Sequence, residues 1–194
     1  MANITSLCVY CGSSRRGAPS HHDAARQLGE ALATNGIRLV YGGGRVGLMG
    51  IVADTVLRHG GEVVGVIPKF LEDLEVGHSE CTEMHVTGNM HDRKLKMAML
   101  SDAFAVLPGG FGTLDETFEI LTWKQLELHD KPIVLVNIDG FWDQLTTLID
   151  AQIEANYVRA RHREMYTVAE NVADVLPTIR AMPPARFSLE SKWL

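Results

Sequence analysis

Short, almost entirely apolar segments alternate with amphipathic helical segments along this chain. Residues 4–10, 37–41 and 103–107 are strand-like, and between them apolar residues such as Ala24 and Leu28 recur at helical spacing. Strands that are apolar on both faces are typical of a parallel sheet that helices cover on both sides. The pattern therefore predicts an α/β fold, a single doubly wound, mostly parallel sheet of the Rossmann-like kind.

The same patterns predict the remaining elements and the domain organisation. Further strands are expected at 62–67, 84–87, 133–138 and 165–168, and helices at 20–35, 47–59, 90–101, 113–128, 141–156 and 171–181, with 69–82 irregular. The helix at 113–128 is expected to bury Leu114, Phe118, Leu121 and Leu128. A chain of 194 residues is long enough for one well-buried domain. We therefore predict a single domain over 1–182 and a loosely held tail over 183–194.

The charge balance excludes several classes of partner. The formal net charge is −6 and the pI is about 5.7, without a long basic run. Binding to nucleic acid or to an anionic membrane surface is therefore not expected. No apolar stretch approaches the roughly 20 residues of a membrane span, and the first residues enter a strand pattern without the features of a signal peptide. We expect a cytoplasmic protein.

One loop carries the strongest chemical signal, and its sequence over residues 107–116 is Leu-Pro-Gly-Gly-Phe-Gly-Thr-Leu-Asp-Glu. Glycines between a predicted strand and a predicted helix let the backbone approach a ligand closely. The first free N–H groups of the helix, at the positive end of its dipole, suit a phosphate. Glu116 lies one helical turn from that anion site. The loop therefore predicts a site that holds a phosphorylated small molecule and acts on it.

Thr113 and Glu116 also have the Thr-x-x-Glu spacing of a capping box, in which the glutamate only bonds to the backbone N–H of the capping residue. Such caps are common at helix starts. A capping box does not require Gly109, Gly110 and Gly112 ahead of it, whereas a backbone cradle for phosphate does. The glycines therefore favour the phosphate site over the cap.

Three glycine-bearing loops follow predicted strands, at residues 11–14, 42–47 and 109–113. Because parallel strands end at one edge of the sheet, we expect the loops to meet there. The second loop also matches the G-x-G-x-x-G fingerprint of dinucleotide-binding proteins. That fingerprint requires an acid at the end of the next strand, but Glu62 opens that strand, and the motif follows the second strand rather than the first. The preferred interpretation is a supporting loop beside a mononucleotide.

The segment 90–94, Met-His-Asp-Arg-Lys, opens the helix that precedes the strand leading to the third loop. Arg93 and Lys94 therefore start from the same end of the sheet as the glycines. An arginine can hold phosphate or hydroxyl groups with its planar fork, and a lysine adds a point charge. The alternative interpretation is that both are solvated cations on the surface of the helix.

Residues 108–116 and 90–94 together resemble the LONELY GUY (LOG) family of cytokinin riboside 5′-monophosphate phosphoribohydrolases, many of which were once labelled lysine decarboxylases. The resemblance covers most of the chain, since residues 11–14, 41–44, 47–50 and 122–132 also fit the family pattern. It implies that the protein hydrolyses the N-glycosidic bond of AMP or of a cytokinin riboside monophosphate, giving the free base and ribose 5-phosphate. It further implies a homodimer in which a helix of the partner lies near the site.

The resemblance also implies roles for individual residues. Arg93 and Glu116 are implied to be the catalytic pair. The implied substrate-binding residues lie in the glycine loops, the 90–94 segment, the variable stretch 74–86 and the helix after the third loop: Gly12, Ser13, Gly43, Glu75, Met90, Lys94, Gly109, Gly110, Phe111, Gly112, Thr113, Leu114, Asp115 and Thr122. Among them, Gly110, Gly112 and Thr113 are implied to hold the phosphate.

Elementary chemistry agrees with the implied reaction. Breaking a ribosyl bond builds positive charge on the sugar ring, and a fixed carboxylate nearby stabilises that charge or activates the attacking water. Arg93 is expected to orient Glu116 and to keep it ionised by lowering its pKa. No metal and no cofactor is expected, because no cluster of His, Asp or Glu in the sequence indicates a ligand set.

Two other functions are to be compared with this one. A non-catalytic carrier of a nucleotide or of the molybdenum cofactor has a similar glycine loop, but binding alone does not require Arg93 together with Glu116. A pyridoxal-phosphate decarboxylase requires a Schiff-base lysine and an acid for the pyridinium nitrogen. The sequence marks no such pair, which argues against the old label.

Overall fold

A computed structural model describes residues 4–73 and 77–182 of the protein. Within these residues the strands are β1 Ser6–Tyr10, β2 Arg38–Tyr41, β3 Val63–Pro68, β4 Glu83–Thr87, β5 Ala103–Val106, β6 Ile133–Val136 and β7 Thr167–Ala169. The α-helices are α1 Pro19–Thr34, α2 Gly47–Arg58, α3 Lys69–Glu72, α4 Met90–Met99, α5 Phe111–Gln125, α6 Asp143–Glu154 and α7 Val175–Ala181. Every predicted strand is present, and so is every predicted helix except the last, which is only partly α-helical; the ends differ by a few residues.

The seven strands form one parallel sheet in the order β4-β3-β2-β1-β5-β6-β7, which confirms the predicted doubly wound fold. The chain moves outward from β1 to β4, returns to the centre and continues from β5 to β7. The order therefore reverses between β1 and β5, where Tyr10 lies opposite Val106. Because ligands of such sheets bind beyond the carboxyl ends of the strands at this reversal, the topology places the functional edge just after these two residues.

Helices cover both faces of the sheet. On one face α1, α2 and α7 pack through residues such as Leu28, Val52 and Ile179. On the other face α4, α5 and α6 pack through residues such as Met97 and Ile120. The central strands are buried from both sides, which explains why they are apolar throughout rather than alternating.

Three local predictions are wrong. Residues 69–82 contain the short helix α3 instead of being irregular throughout. The helix predicted at 171–181 is a 3-10 turn, Val172–Asp174, followed by α7. Helix α5 begins before Thr113, and two residues of its predicted buried stripe, Phe118 and Leu128, are exposed. Besides Ile120 and Leu121, its buried residues include four with polar side chains: Thr113, Glu116, Thr117 and Lys124.

All the described elements belong to this one sheet or pack against it. The predicted tail over 183–194 lies outside the described residues. In the ranges that the structure covers, no helix combines the length and the apolar character needed to cross a membrane.

The side chain of Asp102 joins the start of β1 to the start of β5 through hydrogen bonds. Its Oδ2 accepts hydrogen bonds of 2.8 to 3.0 Å from the backbone N–H and the hydroxyl of both Thr5 and Ser6. Burial alone would raise the pKa of Asp102, but these hydrogen bonds outweigh it and lower the pKa below its ordinary value. The ionised carboxylate therefore stabilises the fold.

Replacing Asp102 by alanine should lower the free energy of unfolding by about 2 kcal/mol near neutral pH, because four donors lose a charged acceptor. Since the folded-state pKa is depressed, this charge-dependent stability is present above the ordinary aspartate pKa of about 4 and is lost as the pH falls through the folded-state value. Urea unfolding at neutral and acidic pH measures both effects. The control Asp23→Ala removes an exposed ion pair with Arg26 and should cost less than about 0.5 kcal/mol. Equal losses in the two variants would contradict the prediction.

Candidate active site

The three glycine loops meet at the carboxyl edge of the sheet, as predicted. The N–H of Gly12 donates to the carbonyl oxygen of Pro108 (3.0 Å), which joins the first loop to the third. The N–H of Leu48 donates to the carbonyl oxygen of Gly12 (3.0 Å), which joins the start of α2 to the first loop. A Cβ on Gly12 would lie 3.2 Å from the Cα of Gly109, so the two backbones approach this closely because glycine stands there.

Helix α5 begins directly at the end of the third loop, with Gly110 as its N-cap residue. The first hydrogen bond of the helix runs from the N–H of Leu114 to the carbonyl oxygen of Gly110 (3.0 Å). The N–H groups of Phe111, Gly112 and Thr113 therefore have no acceptor within the helix. Together with the helix dipole they form a place for an anion such as phosphate.

The start of α5 decides between the two interpretations of Thr113 and Glu116. A capping box has its threonine at the N-cap and its glutamate three residues later. Here the N-cap is Gly110, and no side chain caps the helix. Thr113 lies inside the first turn, and the carboxylate of Glu116 faces Arg93. The capping hypothesis is therefore wrong.

Two backbone carbonyl oxygens and one carboxylate hold the guanidinium of Arg93 in place. Its Nε donates to the carbonyl oxygen of Val66 (3.1 Å) and its Nη2 to that of Gly42 (3.2 Å). Its Nη1 lies 3.2 Å from Oε1 of Glu116. Only 8% of Arg93 and 7% of Glu116 are exposed. A buried ion pair needs additional hydrogen bonds to offset its desolvation, and here the two carbonyls supply them. They fix Arg93, and Arg93 fixes Glu116.

Burial raises the pKa of Glu116 to about 7, although the guanidinium of Arg93 beside it acts in the opposite direction. The sequence-based expectation that Arg93 lowers this pKa is right for that contribution and wrong for the net effect, because desolvation of the carboxylate is larger. A carboxyl group that titrates near pH 7 can both accept and release a proton under physiological conditions. This property suits general acid–base chemistry.

A cavity of about 280 Å³ lies between these loops and the start of α4. Nine of the predicted site residues line it: Gly12, Ser13, Met90, Arg93, Gly110, Phe111, Gly112, Thr113 and Glu116. Its other lining residues were not predicted: Cys11, Gly42, Met49, Ile67 and Leu71. The rule that ligands bind at strand ends was sufficient to find Ile67, whereas Leu71 lies in α3, which no sequence pattern predicted. Glu75 lies outside the described residues.

Six predicted residues do not line the cavity: Gly43, Lys94, Gly109, Leu114, Asp115 and Thr122. The two glycines shape the loops instead. A Cβ on Gly109 would overlap Oγ1 of Thr113. Gly43 has a φ of +73°, which favours glycine, and a Cβ there would lie 3.0 Å from Cβ of Ile67.

The four other residues outside the lining lie on α4 and α5. The ammonium of Lys94 is 2.9 Å from Oδ2 of Asp115. Leu114 packs against the core on its face of the sheet. Thr122 is exposed, and its hydroxyl donates to the carbonyl oxygen of Phe118 (2.7 Å). Contact of these side chains with a substrate remains a prediction.

A larger cavity of about 460 Å³ is lined by Arg26, Ile51, Asp54, Leu57, Arg58 and Glu80. Neither the glycine loops nor the Arg93–Glu116 pair contributes to it, so the smaller cavity is the candidate active site. In residues 4–73 and 77–182, no group of three or more His, Cys, Asp or Glu side chains is arranged to hold a metal ion.

Comparison with known proteins places these residues in a family. The family model described as "Possible lysine decarboxylase" matches residues 49–179. A protein of Oryza sativa subsp. japonica named "Probable cytokinin riboside 5′-monophosphate phosphoribohydrolase" is 45% identical over 170 residues, which cover 88% of this chain and 76% of that protein. A cytokinin riboside 5′-monophosphate phosphoribohydrolase of Arabidopsis thaliana is 39% identical over 189 residues, which cover 96% of this chain and 83% of that protein.

Solved structures with a similar fold include the molybdenum cofactor carrier protein of Chlamydomonas reinhardtii. Its TM-score is 0.70 at 23% identity, over 93% of this chain and 98% of that chain. The molybdenum cofactor binding protein of Rippkaea orientalis has a TM-score of 0.69 at 22% identity, with the same coverage. At this level of identity the likeness shows the fold alone.

The matched family model includes both helices that supply the buried ion pair, α4 and α5. The plant relatives align with nearly the whole chain, and their names agree with the resemblance seen in the two sequence segments. The chain therefore belongs to the LONELY GUY family of cytokinin riboside 5′-monophosphate phosphoribohydrolases, the family whose model retains the older lysine decarboxylase description.

Proposed function

We propose that this protein hydrolyses the N-glycosidic bond of adenosine-type nucleoside 5′-monophosphates, including cytokinin riboside 5′-monophosphates, to the free base and ribose 5-phosphate. The observation that carries the proposal is the buried Arg93–Glu116 ion pair at the wall of the cavity. It lies about one helical turn beyond the N–H groups that begin α5. The names of the plant relatives supply the substrate class.

The start of α5 suits the 5′-phosphate of such a substrate. Its unbonded N–H groups and its dipole attract an anion, and no side chain caps this end of the helix. Each helical residue advances about 1.5 Å along the axis, so Glu116 follows Thr113 by roughly 5 Å. That separation is about the reach from a 5′-phosphate to the ribose ring. Binding of the phosphate supplies energy that positions the reacting bond.

Glu116 then acts at the ribose ring. As the bond from C1′ to the base breaks, the base leaves with the electron pair and positive charge develops on the ring. The carboxylate stabilises this charge, and it accepts a proton from the water whose oxygen bonds to C1′. The proton passes on to the departing base, which completes the hydrolysis. The apolar side chains of Met49, Ile67 and Leu71 in the lining suit a purine ring.

The phosphate should be essential for turnover. We expect kcat/KM for AMP and isopentenyl-AMP to exceed that for the corresponding nucleosides by about 10²-fold or more, because the nucleosides lack the group that the α5 start binds. Chromatography of the released base measures this ratio. Comparable turnover of adenosine and AMP would contradict the phosphate site. Tight binding of the monophosphates without release of base would instead identify a carrier.

The charge of Glu116 should be required for catalysis. We expect Glu116→Gln to lower kcat by about 10²-fold or more, since the amide neither stabilises a cation nor accepts a proton. In the wild type, kcat/KM should rise with pH through about 7, the pKa of Glu116, as the carboxylate forms. Phosphorus NMR gives the separate ionisation of the substrate phosphate. The control Glu154→Gln, at an exposed position of α6, should keep full activity. If Glu116→Gln also kept it, with an unchanged melting temperature, the proposed mechanism would be wrong.

We also propose that the protein is a homodimer assembled through α4 and α5. Both helices pack on the same face of the sheet, and both present large apolar side chains to solvent, among them Leu95, Met99 and Phe118. A second copy of the chain is the occupant that the family resemblance implies. An obligate interface of this kind buries more than about 2,000 Å² in total.

Light scattering at micromolar concentration should give the mass of two chains. Leu95→Glu should shift the protein toward the monomer, because a charge in an apolar interface stays desolvated and unpaired. The matched control is Leu148→Glu on α6, since Leu148 is as exposed as Leu95, at 50% against 48%. A monomeric wild type, or an equal effect of the two substitutions, would contradict this assembly.

A further inference from the structure

Lys94 is buried beside the candidate active site without lining it. Only 6% of the residue is exposed, although it is an ammonium on the helix next to the cavity. Its Nζ lies 2.9 Å from Oδ2 of Asp115 and 3.1 Å from Oε1 of Glu119. Burial of the ammonium lowers its pKa, but the two carboxylates outweigh that effect and raise the pKa above its ordinary value. Lys94 is therefore a fixed cation whose two partners both belong to α5.

The contacts of Lys94 run parallel to the ion pair inside the cavity. Arg93 and Lys94 are neighbours on α4, and on α5 Asp115 directly precedes Glu116 while Glu119 follows one turn later. Helices α4 and α5 are thus joined by two sets of ion pairs. The Arg93–Glu116 pair lies at the cavity wall, and the pairs of Lys94 with Asp115 and Glu119 lie just outside it. The two residues of α5 that Lys94 contacts, Asp115 and Glu119, therefore lie on either side of Glu116 along the helix.

We propose that Lys94 is a positioning residue, which acts by holding Asp115 and Glu119 so that Glu116 stays in register with Arg93, and which does not contact the substrate. The proposal rests on the proposed function in one respect, because it assumes that Glu116 is the group that reacts. It replaces the prediction from the sequence that Lys94 binds the substrate directly. The geometry explains why a lysine buried next to a nucleotide cavity is turned away from it.

Lys94 also sets the charge balance around Glu116. The ionisable groups that interact with Glu116 come from three elements: Arg93 and Lys94 on α4, Asp115 and Glu119 on α5, and Cys8, Tyr10 and Cys11 on β1. Burial raises the pKa of the two thiols and of the phenol, so these groups are neutral near pH 7. Two cations therefore face three carboxylates. Removing Lys94 leaves Asp115 and Glu119 uncompensated, which disfavours the ionised form of Glu116.

Three variants separate positioning from substrate contact. Lys94→Met removes the charge with a side chain only one atom shorter, and Lys94→Arg keeps the charge. The double variant Lys94→Met with Glu119→Gln removes the cation together with one of its partners. The matched control is Lys96→Met on the same helix, because Lys96 takes part in neither ion pair. Circular dichroism and melting temperature establish that each variant is folded.

We expect Lys94→Met to move the acidic limb of the kcat/KM profile about one pH unit upward, with a loss of about fivefold at pH 7 that approaches about tenfold at lower pH. The affinity for ribose 5-phosphate, measured by calorimetry, should stay within about twofold of the wild type, since Lys94 does not touch the ligand. Lys94→Arg and the double variant should return the profile toward that of the wild type. Lys96→Met should leave it unchanged.

Carbon-13 NMR of labelled glutamate, assigned with Glu116→Gln, follows the titration of Glu116 without any need for turnover. An unshifted Glu116 titration in Lys94→Met would overturn the proposal, and so would a loss of ribose 5-phosphate affinity of about tenfold with an unchanged pH profile. If the wild type released no base while the Glu116 titration shifted as expected, the proposed function would fail and the positioning role of Lys94 would stand.

Discussion

The candidate site depends on one buried ion pair, and that pair depends on the backbone. Burying a guanidinium and a carboxylate together costs several kcal/mol of hydration, which their attraction offsets only with additional hydrogen bonds. Here the carbonyl oxygens of Val66 and Gly42 complete the coordination of Arg93. The carbonyl of Gly42 directly follows the end of β2, and that of Val66 lies in β3 directly after the last residue paired with β2. The sheet thus determines where the guanidinium lies, and the guanidinium determines where Glu116 lies.

The reversal of strand order brings the rest of the site to this pair. Because β1 and β5 are neighbours, the loop before α5 lies against the loop after β1, and the hydrogen bond between Gly12 and Pro108 holds them together. An anion site made of backbone N–H groups and a carboxylate with a pKa of about 7 then share one small cavity. Neither feature is specific alone, since every helix start has free N–H groups and buried carboxylates also occur in structural ion pairs. Their separation by one helical turn is what points to chemistry on a phosphorylated ribose.

The sequence was sufficient to predict the architecture and the meeting of the glycine loops, because both follow from local patterns and from the topology of parallel sheets. The pairing of Arg93 with Glu116 was implied by the family resemblance; the structure shows the ion pair, and its catalytic role stays a prediction. The sequence was not sufficient where a property depends on burial or on contacts between residues that are distant in the chain. The direction of the Glu116 pKa required the depth of burial, which no motif encodes. The buried polar residues of α5 were missed because apolar periodicity marks neither a carboxylate that pairs with an arginine of another helix nor a lysine that donates to a loop carbonyl. The partners of Lys94 on α5, Asp115 and Glu119, could not be identified from the sequence because they depend on how the two helices pack.

The second glycine loop, at residues 42–47, shows that close contacts inside the protein can require glycine at the positions of a known binding motif. A Cβ at Gly42 would overlap Nη2 of Arg93, and one at Gly47, whose φ is +66°, would meet the backbone of Ser13 and Ser14. Two unrelated steric demands thus account for the first and the last glycine of a pattern that matches the dinucleotide fingerprint. At these two positions the size limit comes from the protein's own atoms. The space for a side chain at Gly42 is consequently limited by Arg93, a residue some fifty positions away in the chain that also donates a hydrogen bond to the Gly42 carbonyl oxygen.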